Sequence, residues 1–459
     1  MTRLRICVVG AGYVGLVTAA VIAGLGYQVS VVENQPAKLA VLRKGETPIY
    51  EEGLPNLVKD NFRDGRLAFT DDIGAAAEKA EAVFIAVGTP SQADGSPDMT
   101  SFYAVRDALC QLPHRSSTGR RLAVVKSTVP IGTGDALHHF FQKNAASRSW
   151  QVVSNPEFLR QGTALYDTNH ADRIIIGAEE EDAAHLLMKI YAPLSRPVLL
   201  VDRRSAEMIK YAANTFLAAK ISFINEMACL CEQVGADIGA VARGMGMDAR
   251  IGHAFLKAGI GFGGSCFPKD LHALLSTGQE TQLQLPMITA VAAVNHNQNL
   301  LLPRFLGELY GDLQGVRVCL WGLTYKPGTD DTRDAPALAV LTELIGRGAQ
   351  VTAYDPQLKA CWLVKQQFPA VSIAHDPYEA AARSEAILLL TEWPEFAHLN
   401  WNRLRHQVKR PLVLDGRNHL EGSVIEAAGF SYAGIGQKRY PLKRLKTRVG
   451  SAEVGVASL

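Results

Sequence analysis

ICVVGAGYVG, residues 6–15, decides the fold. A short apolar, β-rich run from Ile6 to Val9 passes into glycines at 10, 12 and 15, and these open an apolar helical stretch. The Gly-x-Gly-x-x-Gly spacing is weak by itself, but here it lies between a strand and a helix. Glycines at these places permit a tight turn and let a pyrophosphate approach the helix N-terminus. The next strand, VSVVE, ends in Glu33. A carboxylate there accepts hydrogen bonds from a ribose 2′-OH and repels a 2′-phosphate, so the residues predict NAD rather than NADP.

Outward from this turn, apolar runs recur at Val29–Val32, Val83–Val87, Leu122–Val125, Val152–Val153 and Ile174–Ile176, with helical stretches between many of them. Continuous Val/Ile runs alternating with helices predict parallel strands covered on both faces. Residues 1–200 therefore read as a doubly wound α/β domain. Ser205–Val234 contains neither Gly nor Pro and reads as one long helix, apolar around most of its circumference and so expected to be buried, either between domains or in an oligomer interface. From Gly315 the pattern restarts with strands Val316–Trp321, Gln350–Tyr354, Ala386–Leu390 and Leu412–Leu414. The expected fold is thus α/β, with two Rossmann-like doubly wound domains joined by a long central helix. The expected divisions are 1–200, 201–300, 301–436 and a tail, 437–459.

A chain of 459 residues exceeds what one core usually serves. With 47% apolar and 20% charged residues, it has the composition of an ordinary globular protein. The net charge of +2 conceals a tail of +5 (Lys438, Arg439, Lys443, Arg444, Lys446 and Arg448 against Glu453) on a body of −3. Such a body has no nucleic-acid footprint, and the tail reads as a solvated, disordered extension. The seven cysteines are scattered with no CxxC spacing, which predicts neither a disulfide framework nor a metal site and suits a reducing cytoplasm. Arg3 and Arg5 before an uncharged stretch imitate a signal or membrane segment, but Gly10, Gly12, Gly15, Gly24 and Gly26 interrupt it.

GFGGSCFPKD, residues 261–270, is the most specific segment. Ser265 is a candidate N-cap, and Pro268 is tolerated only in a first helical turn, so Cys266 is placed at a helix N-terminus. Orphan N–H groups there favour a thiolate, the form a nucleophilic cysteine needs. Asp270, four residues on, could position a water or a lysine. On the long helix Lys210 and Asn214 are also four apart, among apolar side chains, and could together stabilise an oxyanion. Thr89 and Pro90 in AVGTP, Thr128 in KSTVP and Glu157 in SNPEF fall just past strand ends, where open α/β sheets bind ligands. In the second α/β domain Lys326, Arg333 and Arg417 are cations near strand ends, suited to a nucleotide diphosphate other than the redox cofactor. Taken singly, each of these residues has an ordinary structural reading. His253, His272 and His296 pair with no carboxylate at recognisable spacing.

Seven ordered blocks carry a resemblance: VVGAGYVG, AVGTP, KSTVPIGT, SNPEFLRQG, KYAANTFLAAKISFINE, RIGHAFLKAGIGFGGSCFPKD and LTYKPGTDDTRDAP. Over residues 1–436 the chain resembles the UDP-glucose/GDP-mannose dehydrogenases. The resemblance implies oxidation of UDP-glucose at C6 from alcohol to carboxylate, with two NAD consumed and a thiohemiacetal and thioester on Cys266. GDP-mannose and UDP-N-acetylhexosamine are the alternative substrates, and a catalytically idle nucleotide sensor is disfavoured because every expected catalytic position is filled. It further implies that Lys210 and Asn214 stabilise oxyanions, that Asp270 and Thr128 organise water and proton transfer, and that Glu157 assists hydrolysis. Gly10, Gly12, Tyr13, Val14, Gly15, Glu33, Lys38, Thr89, Thr128, Gln161, Lys269 and Arg333 would contact NAD. Substrate contacts would be Glu157, Phe158, Leu159, Lys210, Asn214, Phe255, Phe262, Gly263, Lys326 and Arg417, with Gly261 and Gly264 in the substrate loop and Arg250 reaching a neighbouring subunit's substrate. A homodimer or larger homo-oligomer through the long helix is implied. Gln161 departs from the pattern, which has Glu there; it keeps hydrogen-bonding capacity without the charge.

Overall fold

The computed structural model describes residues 4–113, 121–144 and 147–439. The chain divides into two compact units, Met1–Ala213 with His272–Gln282, and Asn214–Leu271 with Leu283–Leu459. The basic tail lies outside the described residues except for Gln437, Lys438 and Arg439.

The first unit is built on strands β1 (Arg5–Val9), β2 (Gln28–Val32), β3 (Leu67–Thr70), β4 (Ala82–Ile85), β5 (Arg121–Val125), β6 (Trp150–Ser154), β7 (Ile174–Gly177) and β8 (Val198–Val201). They form one sheet in the order β3-β2-β1-β4-β5-β6-β7-β8. Every neighbouring pair is parallel except β6 and β7, which meet antiparallel at Ser154 and Gly177. Along β1, Ile6 and Val8 enter one apolar cluster while Cys7 and Val9 enter another. Because alternate side chains point to opposite faces, a strand covered on both sides must be apolar throughout, which is why the run is continuous. The chain reverses direction of travel across the sheet between β1 and β4, so the carboxyl ends of these two strands flank the switch point where such sheets receive ligands.

The second unit holds β9 (Arg317–Trp321), β10 (Gln350–Tyr354), β11 (Ser372–Ile373), β12 (Ala386–Leu389), β13 (Leu412–Asp415) and β14 (Ser431–Gly434). Their order is β11-β10-β9-β12-β13-β14, parallel throughout. β9 repeats the logic of β1, with Val318 and Leu320 in one cluster and Cys319 and Trp321 in the other. The fold is therefore two Rossmann-like sheets, with one long helix contributing to both units.

That helix runs from Arg203 to Val234. In the single chain part of its apolar surface is uncovered: Phe216 is 64% exposed, and Met208, Phe223, Leu230 and Val234 are also exposed. Phe216, Phe223 and Leu230 recur every seven residues and so share one face. No helix among the described residues is long and apolar enough to cross a membrane.

Candidate active site

At the first turn Gly10 has φ +102°, and a Cβ there would lie 2.6 Å from the Ala86 carbonyl oxygen. A Cβ on Gly12 would meet nothing within 4 Å, so the space beside the helix N-terminus is open. Gly12 caps the helix Tyr13–Gly24 without a side-chain hydrogen bond, leaving its first N–H groups for an anion. The buried Glu33 closes the turn from the neighbouring strand end, accepting from Ala11 N at 3.3 Å and Gln35 N at 2.9 Å. These residues fit a dinucleotide. Tyr13 donates its hydroxyl to the Tyr50 carbonyl, Val14 packs on the core, and Lys38 is half-buried in the helix Pro36–Leu42. Thr89 donates to the Thr128 carbonyl at 2.7 Å, joining two strand-end loops. Gln161 is buried.

Beyond β6, Glu157 and Lys210 are both buried, with Lys210 Nζ 3.0 Å from Glu157 Oε1. The other Glu157 oxygen accepts the Leu159 N–H at 2.7 Å. Lys210 Nζ also lies 5.5 Å from the centre of the Phe158 ring, which Arg173 covers at 3.9 Å. A residue not anticipated from the sequence joins this cluster. Lys126, at the end of β5, donates to Asn155 Oδ1 at 3.0 Å, and Tyr191 donates to the same oxygen at 2.7 Å. Burial pushes the Lys126 ammonium down to about 8, with Glu157 opposing and Lys210 reinforcing that shift. KST read as a strand end carrying Thr128; a lysine four residues before a proline gives no local sign of burial.

In the second unit Cys266 accepts the Asp270 N–H at 2.9 Å through its carbonyl, directly before the helix Phe267–Glu280. Cys266 itself thus stands at the N-cap, one residue later than expected from Ser265, whose hydroxyl lies 3.8 Å from the sulfur. Asp270 is 1% exposed, accepting from Asn214 Nδ2 at 2.6 Å and Lys269 Nζ at 2.7 Å. Lys210 and Asn214, expected as a pair, are therefore each bonded to a different carboxylate.

The segment before Cys266 is held by amides that sequence reasoning missed. Asn295 accepts from Phe262 N at 2.8 Å and donates to Phe262 O at 3.0 Å. Gly259 is gripped likewise, its N–H by Asn225 at 2.9 Å and its carbonyl by Gln298 at 2.7 Å. Gly264 N donates to the Arg333 carbonyl at 3.0 Å, and Gly263 packs tightly on the Asp334 backbone. Phe267 makes ring contacts with both Phe255 and Phe262. Arg417 donates to the carbonyls of Leu390, Gly261 and Tyr325, so its guanidinium braces the segment. Arg333 is paired with Asp331 at 2.6 Å, Lys326 lies 5.7 Å from the Tyr325 ring centre, and the exposed Arg250 pairs with Asp248. Among the described residues no group of His, Cys, Asp and Glu could hold a metal ion.

Comparison with known proteins agrees with this geometry. Three family descriptions match in chain order: the NAD binding domain of the UDP-glucose/GDP-mannose dehydrogenase family over residues 4–195, its central domain over 204–297 and its UDP binding domain over 319–422. The chain is 43% identical over 442 residues to the UDP-glucose 6-dehydrogenase of Rhizobium meliloti, covering 95% of this chain and 100% of that one. It is 45% identical over 450 residues to the enzyme of that name from Pseudomonas aeruginosa, covering 95% and 98%. The solved UDP-glucose dehydrogenase of Pyrobaculum islandicum superposes with a TM-score of 0.85 at 37% identity, over 91% of this chain and 95% of that one. A UDP-D-ManNAc dehydrogenase from Pyrococcus horikoshii gives 0.83 at 27% identity, over 95% and 100%. With an open dinucleotide turn at Gly12 and the family's three domains in order along it, the chain belongs to the UDP-glucose/GDP-mannose dehydrogenase family and is an NAD-dependent dehydrogenase.

Proposed function

We propose that the chain oxidises UDP-glucose at C6 to UDP-glucuronate, in two hydride transfers linked by a covalent bond to Cys266. The observation that carries this reading is Cys266 at a helix N-terminus, one turn from an Asp270 carboxylate bonded to Asn214. The Gly10–Gly15 turn and Glu33 would hold NAD, which would supply the hydride acceptor for each oxidation.

The first oxidation leaves an aldehyde, which has no alkoxide to drive out a second hydride. Addition of the Cys266 thiolate forms the C–S bond of a thiohemiacetal and restores that alkoxide. Loss of the second hydride leaves a thioester; water then adds, the C–S bond breaks, and the acid departs with Cys266 again a thiolate. The orphan N–H groups at the start of the helix Phe267–Glu280 favour that thiolate. The Lys210 ammonium supplies positive charge to the oxyanions and the Asn214 amide a hydrogen bond. Asp270, with Thr128, holds water and takes its proton, and Glu157 assists hydrolysis. Lys326 and Arg417 serve the UDP moiety, Arg417 mainly by bracing Gly261.

Two features support a homodimer in a reducing cytoplasm: the apolar stripe on the long helix and seven free cysteines. The reaction is tested by stoichiometry. Purified protein should yield two NADH per UDP-glucose consumed, and one NADH per sugar would overturn the thioester route. The same assay with GDP-mannose and UDP-N-acetylmannosamine decides the sugar, a kcat/KM higher than for UDP-glucose reassigning it.

A further inference from the structure

One turn ahead of Lys210 on the long helix is Glu207, a buried carboxylate with no part in the chemistry above. Its Oε2 accepts the Gly132 N–H at 2.6 Å. Its Oε1 accepts the Gly134 N–H at 2.8 Å and the Ser154 hydroxyl at 2.9 Å. Gly132 is the N-cap of the helix Thr133–Lys143, which has no side-chain cap of its own, so Glu207 satisfies two of its orphan donors from a neighbouring helix. The approach is close: a Cβ on Gly134 would lie 2.6 Å from Ser154 Oγ and 2.9 Å from Glu207 Oε1. The glycine of IGTG is thus required by the carboxylate packed on it.

Each segment that Glu207 touches carries one of the groups assigned to the reaction. Gly132 lies four residues past Thr128, Ser154 three residues before Glu157, and Lys210 three residues after Glu207 on the same helix. Three donors converging on one side chain need a group that only accepts, and an ionised carboxylate is the side chain with that property. Burial pushes the Glu207 carboxyl up, and the bonds from Gly132, Gly134 and Ser154 oppose this.

We propose that Glu207 is a positioning residue that ties the Thr128 loop, the Glu157 strand end and the Lys210 helix into one frame for thioester hydrolysis. The inference rests on the reaction proposed above. Glu207→Gln keeps size and shape but turns an amide N–H toward one of the three donors, so the frame must shift. Displacements on the order of an ångström in a catalytic group are felt strongly in rate.

The test is rapid-quench kinetics on the full chain with saturating UDP-glucose and NAD. In Glu207→Gln the initial NADH burst should keep its amplitude while steady-state turnover falls about tenfold. Intact mass spectrometry of quenched samples should then show more sugar nucleotide bound to Cys266. Ser154→Ala removes one of the three donors without leaving a clash and should show the same pattern at roughly two- to threefold. It decides the question if Glu207→Gln does not fold. An unchanged ratio of burst to steady rate overturns the proposal. So does a proportional fall in both, which marks a smaller folded fraction rather than a displaced frame. One NADH per sugar from the unmodified protein would instead overturn the reaction itself, and the positioning role with it.

Discussion

Lys210 Nζ and Glu157 Oε1 are 3.0 Å apart in a buried setting, and Lys126 adds a second ammonium whose charge acts on both. Two ammonium groups brought together in a buried setting are costly to one another, and negative charge developing beside them relieves that cost. Lys210→Ala removes the cation nearest Glu157 and should lower kcat by about 10²–10³-fold. It leaves a buried carboxylate without its partner, so the melting temperature should fall as well. Steady-state kinetics with a thermal melt separates the two effects. A kcat within about threefold of the unmodified protein would remove Lys210 from the oxyanion role.

Lys126 makes a different prediction, in stability rather than rate. Its ammonium is pushed down to about 8 from an ordinary 10.5. Between those values the unfolded chain binds more protons than the folded one, so stability rises with pH there. Below about 8 both states are protonated and the burial penalty is present in full. The groups facing it are Glu157, Lys210, Asn155 and Tyr191, and burial pushes the Tyr191 hydroxyl well above this window. Lys126→Met removes the charge while Asn155 Oδ1 keeps its bond from Tyr191. The melting temperature of Lys126→Met relative to the unmodified protein should be highest below pH 8 and decline toward pH 10.5. A difference that stays flat across that range would show that Lys126 is not depressed.

Most of the framework was legible because its physics is local. Ile6–Val9, Leu122–Val125 and Ala386–Leu390 are continuous apolar runs, and burial on both faces of a sheet demands such runs. β3 and β8 were missed for the converse reason. Leu67–Thr70 has two residues turned outward or partly so, and Val198–Val201 lies at the sheet edge with Leu199 and Leu200 exposed. Neither is enclosed enough to read as a central strand. The candidate site divides in the same way. Cys266 and Pro268 announce a helix start within four residues, whereas the partner of Lys210 lies 53 residues away in sequence and that of Asn214 lies 56 away. Glu207, Asn225, Asn295 and Gln298 sit inside helices and look like helix-surface polar residues until the fold shows which backbone groups they hold.

The stripe of Phe216, Phe223 and Leu230 predicts association. Leaving two phenylalanines and a leucine on one helix face exposes a patch that soluble chains usually cover. Phe216→Glu places a charge at its most exposed phenylalanine. Light scattering coupled to gel filtration should show a dimer for the unmodified protein and mostly monomer for Phe216→Glu. A monomer in both, or an unshifted dimer in the variant, would exclude this face as the interface.

Asn295 holds Phe262 by two opposed hydrogen bonds, from N–H to Oδ1 and from Nδ2 to the carbonyl. These bonds lie four residues before Cys266, so they govern where the glycine segment presents its backbone. Asn295→Ala deletes both partners at a buried position and strands one N–H and one carbonyl, each costing about 1–3 kcal/mol unless water replaces the amide. The segment should then sample several conformations, and a sugar nucleotide that binds against it must select one. The expected outcome is a KM for UDP-glucose raised about tenfold with kcat reduced less, because a population tax falls on binding before it falls on chemistry. Asn295→Asp separates geometry from mere packing. It still accepts from Phe262 N but cannot donate to the Phe262 carbonyl when ionised, so its KM should lie between the two. Equal effects on KM and kcat in Asn295→Ala would instead mean that Asn295 supports the fold around Cys266 without shaping the substrate segment.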